Sequence, residues 1–293
     1  MKQAAILVVI LALGTFLSAY QTPAQSSAAQ AGAAATPPPP QGKRPPQAKT
    51  QAEFDAYKVA AANNADPTAM EKAADDFAAK FPDSELRILL YRMAMHSYQS
   101  GNKAEQMMEM GRKVLKLDAD DPEALVGVAQ VLAERTRESD LDKDQRLDEG
   151  SKLAQHAVET ADTDITVPPG TPQDKIDEYK GFLRSNAYYV LGTIQYTREK
   201  YADAEGYFHK SIDAYPSQPD PLAVLRLALS LDKKEKYPEA LKFANQAVQM
   251  TESSQGSTLA TLARNERDRL VQLTGGTPAT KPPASAQNPP PKK

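Results

Sequence analysis

The sequence predicts an all-α chain, a stack of antiparallel helix pairs closed by one last helix, with an unfolded segment at each end. Three observations carry this prediction. Positions where paired helices would cross recur at Ala61, Met95, Ala129, Gly192 and Ala228, separated by 34, 34, 63 and 36 residues, the mark of an internal repeat. Around each of them apolar residues return at the 3.6-residue period of a helix. Every Asp and Glu lies between Glu53 and Asp268, whereas the ends consist mainly of Pro, Ala, Gln, Ser and Lys.

Composition removes several functions. The 293 residues include no Cys, no Trp and 3 His. Without Cys there is no disulfide framework, no thiolate zinc site, no Cys nucleophile and no lipidated N-terminus. Within residues 52–273, 38 acids face 28 bases, and such a surface repels a phosphate backbone, so nucleic acid is not expected as a ligand. Seven bases stand outside that span: Lys2, Lys43, Arg44, Lys49, Lys281, Lys292 and Lys293.

Residues 1–24 open with Lys2, run apolar from Ala4 to Leu17 and then turn polar, the layout of a secretory signal with cleavage after Ala19 or Ala24. The apolar run, about 14 residues, is short of the about 20 that a membrane span needs. The chain is therefore expected to be exported, periplasmic or secreted. An uncleaved N-terminal anchor is the alternative, and the one way in which it would touch a membrane. Residues 25–51, with Pro37 to Pro40 and the pair Pro45 and Pro46, carry too little apolar surface to fold and read as a linker. Residues 274–293 read as a Pro-rich tail.

The elements follow in order. Tyr57, Ala60 and Ala61 share a helix face, answered by Ala73, Phe77 and Lys80 on a second helix. Tyr91, Ala94, Met95 and Tyr98 pair with Met107, Gly111 and Val114; Leu125, Val128, Ala129 and Leu132 pair with Gly150, Ala154 and Ala157. Tyr188, Leu191 and Gly192 pair with Ala204, Phe208 and Ser211 across a turn near Glu199 and Lys200, and Pro216 ends that pair. Val224, Leu227, Ala228 and Leu231 pair with Tyr237, Ala240, Ala244 and Ala247. The interval of 63 holds one repeat plus 29 inserted residues, placed near 134–174. Roughly nine lengthen the turn between Glu134 and Gln145. The others make a loop over Asp164 to Gln173 and start the next helix early, at Ile176, Tyr179, Leu183 and Ala187. Ser257 to Leu273 closes the stack, with Leu259, Leu262, Ala263, Leu270 and Leu273 inward and Arg264, Glu266, Arg267 and Arg269 outward.

The sequence of Tyr188, Leu191, Gly192, Ala204, Phe208, Ser211 and Pro216 resembles the tetratricopeptide repeat (TPR), a 34-residue helix pair. Gln195 departs from that family's pattern, as do Met95 and Met107. The resemblance implies a TPR-like solenoid of about five repeats over 52–273 with a C-terminal capping helix. It also implies a non-catalytic scaffold that binds a partner protein or peptide in its concave groove. Lys80 to Ser84, Lys-Phe-Pro-Asp-Ser, is similar to the repeat junction of bacterial envelope-assembly proteins, in keeping with export. Some members of the family clamp acidic chaperone tails, but the positions that would do so hold Lys58, Ala62, Arg92 and His96, an incomplete clamp.

The chain offers little chemistry of its own. His96, His156 and His209 stand in separate helical segments, and no Gly-rich phosphate loop or nucleophile elbow occurs. Asp118, Asp120 and Asp121 read as helix-end residues, with Asp121 capping a helix that starts at Pro122. Asp140, Asp142, Asp144 and Asp148 read as a solvated turn. No cofactor, metal or catalysis is expected, the rival being a hydrolase or metal-dependent enzyme hidden in the insertion from Glu134 to Asp174.

At 100° per residue, Tyr189, Thr193 and Tyr196 share a face turned away from the packing face. The resemblance places that face in the groove together with Arg92, His96, Val126, Gln130, Leu225 and Leu229. Exposed Tyr and Leu there would anchor a partner. The alternative is that the extra helix and the tails cover them. A second reading of function is a structural tether whose basic Pro-rich tails contact membrane or wall polymer.

Overall fold

A computed structural model describes residues 42–168, 170–254 and 256–276. The expected signal segment, the linker before residue 42 and the tail beyond residue 276 lie outside the described residues. Among the described residues eleven α-helices form consecutive hairpins, like a TPR solenoid. The hairpins are α1 (Gln51–Ala61) with α2 (Pro67–Lys80), α3 (Arg87–Ser100) with α4 (Ala104–Leu117), α5 (Pro122–Arg135) with α6 (Lys143–Thr160), α7 (Gln173–Thr197) with α8 (Tyr201–Ala214), and α9 (Pro221–Lys233) with α10 (Tyr237–Met250). The last helix, α11 (Thr258–Leu273), covers the end of the stack. Each helix packs on the next, and α1 also touches α3, α5 touches α7, α7 touches α9 and α9 touches α11. The odd-numbered helices thus line one side of the solenoid and the even-numbered ones the other.

Local chemistry sets the ends. Three helices begin with Asp followed by Pro: Asp66, Asp121 and Asp220 cap α2, α5 and α9, each accepting a backbone N–H of the first turn. Three hairpins turn through a residue of positive φ, Asn102 (54°), Glu199 (58°) and Glu235 (58°). In each, the next N–H reaches back to the last helical turn, Lys103 to Tyr98 O at 2.9 Å, Lys200 to Gln195 O at 2.9 Å and Lys236 to Leu231 O at 3.0 Å, the bond pattern of a Schellman motif.

The crossings explain the small residues. A Cβ on Gly192 would lie 2.7 Å from the Phe208 ring, so α7 and α8 approach as closely as they do because Gly192 has none. Met95 and Met107, the departures from the repeat, are accommodated by glycines opposite them. A Cβ on Gly111 would stand 3.3 Å from Met95 Sδ, and one on Gly127 would stand 3.0 Å from Met107 Cε. Two core clusters result, one around Met70, Phe77, Leu90, Met95 and Met110 and one around Leu147, Leu191, Ile194, Phe208 and Leu227.

Between α5 and α6 the chain turns at 136–142, the described residues 161–168 and 170–172 connect α6 to α7 outside any helix, and α7 runs for 25 residues. Two expectations are corrected. On α11 the inward residues are Ala260, Ala263 and Leu270, whereas Leu262 and Leu273 face solvent; Glu266 is buried, bonded to Arg269, which also reaches Asp232 on α9. The helix is rotated so that small residues meet α10 and an ion pair meets α9.

The linker, expected to run free as far as Gln51, is held from residue 42 onward. Lys43 N donates to Ile165 O at 2.8 Å, and its ammonium bridges Asp118 (2.7 Å) and Asp164 (3.0 Å). Arg44 pairs with both oxygens of Glu85 at 2.8 and 3.0 Å, and Lys49 Nζ donates to Asp83 O at 2.8 Å. The bases of the strap meet the acids of the solenoid, a pairing that linker composition does not reveal. Gly42 is required at its start, since a Cβ there would lie 2.4 Å from Ile165 O.

Candidate functional site

The inner side formed by the odd helices has two halves. In the first, α3 and α5 are joined by ions. Arg92 Nε donates to Asp121 Oδ2 at 2.7 Å, and a second guanidinium nitrogen reaches the same oxygen. Asp121 is 0% exposed and also caps α5 through Ala124 N at 2.9 Å. Burial pushes its carboxyl up even with Arg92 beside it. One turn along, His96 Nε2 meets Glu123 Oε1 at 2.9 Å. Burial lowers the imidazole pKa, but the Glu123 carboxylate and its hydrogen bond outweigh burial, and the net shift is upward. Tyr179, from the early turns of α7, packs on Ala161, Ile165 and Leu183; burial raises its phenol well above the ordinary value, and the charges of Glu123, Arg92 and Asp121 act on it through space. Val126 is buried beside Ala187 of α7.

The second half is open. Between α5, α7 and α9 lies a cavity of about 440 Å³ lined by Ala133, Glu134, Tyr189, Thr193, Leu222 and Arg226, with Thr136 and Thr197 at its edge. Thr193 is 3% exposed, and its hydroxyl has no hydrogen-bond partner of good geometry, though the Tyr189 phenol is close by. The Arg226 guanidinium lies 5.4 Å from the centre of the Tyr196 ring and makes no ion pair or hydrogen bond with any described residue. Glu134 reaches solvent and accepts from Gln130 Nε2 at 3.0 Å, yet the surrounding walls displace enough water to raise its pKa. Burial likewise raises Asp220, whose only close donor is Leu222 N at 2.8 Å. Burial, then Glu134, hold the Tyr189 phenol above its ordinary value.

Of the residues expected to line the groove, Arg92 and His96 are committed to Asp121 and Glu123, and Gln130 to Glu134. Tyr189 and Leu225, expected as exposed anchors, are corrected by the structure. Tyr189 is 4% exposed and packs on Phe208 at 6.1 Å between ring centres, and Leu225 is 2% exposed among α9, α10 and α11. Tyr196 and Leu229 are half-buried. The register is turned by about one residue: in α9 the cavity wall is Leu222 and Arg226, not Leu225 and Leu229. Sequence reasoning missed Glu134, Arg226 and Tyr179, and the one signal for Arg226 was its place next to an expected groove residue.

No family model matches the chain, and no curated protein matches it. Among solved structures, the fold is similar to "Crystal structure of MamA protein", with 15% identity over 70% of this chain and 97% of that one, TM-score 0.47. It is similar to the Pseudomonas aeruginosa pilF structure, with 17% identity over 76% and 95% of the chains, TM-score 0.46. It is also similar to PilW, titled a widely conserved type IV pilus biogenesis factor, with 15% identity over 77% and 99%, TM-score 0.44.

Proposed function

We propose that this chain is a non-catalytic scaffold that binds a protein or peptide partner on its concave side after export to the cell envelope. The anchoring point is the cavity between α5, α7 and α9. The observation that carries the reading is the polar chemistry there: a buried Thr193 hydroxyl with only the Tyr189 phenol near it and no hydrogen bond of good geometry, and an Arg226 guanidinium that acts on Glu134 through space without an ion pair or hydrogen bond to any described residue. Buried polar groups are normally satisfied, so a group left open at the edge of a cavity is what an incoming ligand would complete. Arg and Tyr are also the side chains most often found to dominate interface energy.

The tether reading is less well supported. Lys43, Arg44 and Lys49, three of the seven bases outside the acidic span, are taken up by Asp118, Asp164, Glu85 and the Asp83 carbonyl. They are not free to meet membrane or wall polymer.

The test compares proteins captured from an envelope fraction by the native chain and by Arg226→Ala and Tyr196→Ala variants. A partner held at this site is weakened on the order of 30-fold by Arg226→Ala, the scale of a hot-spot residue. Capture that is equal in all three chains would place binding elsewhere and refute the reading.

A further inference from the structure

The wall of the cavity carries one charge of each sign, and each is held by a neighbour without being neutralised. Glu134 Oε1 accepts from Gln130 Nε2 at 3.0 Å, and Oε2 meets no donor among the described residues. The Arg226 guanidinium lies 5.4 Å from the centre of the Tyr196 ring, and none of its side-chain N–H groups is bonded to a described residue. Glu134 and Arg226 act on each other through space but form no ion pair. Burial lifts the Glu134 carboxyl; Arg226 and Arg135 draw it down, and Asp220 lifts it again. Arg135 and Asp220 lie outside the lining, so two bases and two acids balance around the opening. On the α7 wall the Thr193 hydroxyl is 3% exposed, with only the Tyr189 phenol near it.

Such a wall selects its occupant by charge. A carboxylate would gain Arg226 but face Glu134, and a cation would gain Glu134 but face Arg226; like charges set together at an interface are repelled. An apolar group would leave Glu134 Oε2 and the guanidinium out of water and unbonded, which costs free energy. A primary carboxamide satisfies both with no net charge. Its oxygen accepts two hydrogen bonds and its nitrogen donates two, so one planar group can take an N–H from Arg226 and give one to Glu134. Hydrogen bonds to ionised groups are about twice as strong as neutral ones. Gln130 on α5 already bonds this carboxylate through an amide. The volume, about 440 Å³, is in the range of pockets that enclose ligand groups, roughly 300–1,000 Å³.

We propose that the cavity between α5, α7 and α9 receives the side-chain carboxamide of an Asn or Gln on the partner peptide, with Arg226 donating to its oxygen and Glu134 accepting from its nitrogen. This rests on reading the cavity as the partner site, and it names the residue type that enters.

The probes are capped peptides, acetyl-Ala-Gly-X-Gly-Ala-amide with Gln, Asn, Glu, Lys or Leu at X, titrated into the full chain and followed by NMR line broadening of the peptide. Capping removes the terminal charges, and the Leu peptide reports contacts of the backbone alone. The Gln or Asn peptide should bind on the order of tenfold more tightly than the other three, the scale of a hydrogen bond to a charged group. Two variants should move the preference rather than abolish it. Glu134→Gln leaves the guanidinium unopposed on the wall and turns the preference to the Glu peptide; Arg226→Gln leaves the carboxylate unopposed and turns it to the Lys peptide. A gain of binding for a new peptide cannot come from a misfolded chain. Peptides of equal affinity, none that binds at millimolar concentration, or a preference unchanged in both variants overturns the proposal. So does free glutamine that binds as tightly as the Gln peptide, for then the site takes a small molecule. Equal peptides together with partner capture that depends on Arg226 reject the carboxamide alone and leave the groove reading standing; capture that ignores Arg226 as well removes both.

Discussion

The close crossing of α7 and α8 can be weighed by substituting two glycines that differ in one respect only. Gly192 and Gly206 both lie inside helices, so replacing either by Ala gains the same helix propensity, about 1 kcal/mol. A Cβ at Gly206 meets nothing within 4 Å. A Cβ at Gly192 would lie 2.7, 2.8 and 3.0 Å from three atoms of the Phe208 ring, which is itself 0% exposed and has no room to retreat. Overpacking of that kind costs roughly 1–3 kcal/mol. Because the propensity gain cancels between the two variants, their difference reports the clash alone. For a folded region of this size it amounts to about 2–12 °C in midpoint, at roughly 2–4 °C per kcal/mol. Thermal melts followed by far-UV circular dichroism should place Gly206→Ala above the native chain and Gly192→Ala below Gly206→Ala by that margin. The double variant Gly192→Ala with Phe208→Leu should recover part of the gap, as coupled neighbours do. Two alanine variants of equal stability would refute the argument that the missing Cβ sets the approach of these helices.

Three further expectations follow. The His96–Glu123 pair is sensitive to pH on both sides. His96 is raised above its ordinary 6.5, so its contribution is complete below that value and lost as pH rises through the folded pKa. Glu123 is lowered from 4.5, so its contribution is present above that value and lost as pH falls through the folded pKa. Among the groups facing His96, Arg92 opposes the protonated form and Gln99 favours it, neither reversing the sign. The midpoint difference between the native chain and His96→Gln should therefore peak between these two values and shrink as pH rises through the folded His96 pKa; a difference flat across pH would contradict the pairing. Glu85→Ala, which frees the Arg44 side chain and the Gln47 N–H, should speed tryptic cleavage within 42–50 while costing no more than about 1 kcal/mol in a denaturant titration. Tyr189→Ala should cost about 3–5 kcal/mol in the same titration, because it empties a core position rather than a groove anchor.

The sequence made the hairpins legible because a crossing position cannot vary freely. Gly192 opposite Phe208 and Ala129 on the neighbouring repeat are fixed by the distance between helices, so their interval survives as a count along the chain. Where Met95 occupies such a position, the small residue moves to Gly111 on the facing helix, and a search along one helix alone misreads the exchange as a departure. The groove was less legible for a related reason. Which residue of α9 meets the cavity depends on how α9 is rotated against α5 and α7, and one residue of error is 100°, the difference between buried Leu225 and cavity-lining Arg226. The strap was missed because Pro, Gln and Ala carry no periodicity, and its hold on the solenoid resides in three bases whose partners, the Asp118 and Glu85 carboxylates and the Asp83 carbonyl, are 34 or more residues away.

The insertion then has a consequence for binding. A stack of five equal repeats would present one continuous inner side, open from α1 to α9. Here the added turns of α7 pack Tyr179 against Ala161, Ile165 and Leu183, within electrostatic reach of Arg92, Asp121 and Glu123, and α7 sets Ala187 against Val126, so part of the inner side beside the start of α5 is covered by the chain itself. At 25 residues α7 is about 37 Å long, well beyond the reach of the 14-residue helix that begins the same hairpin position at α3. The opening that remains lies past the point where α7 returns to the repeat register, at Tyr189 to Thr197, and its far walls come from Glu134 and Arg226. Shortening α7 to its repeat length would open the covered part and, by uncovering the buried Arg92–Asp121 pair to water, would weaken the α3–α5 junction at the same time.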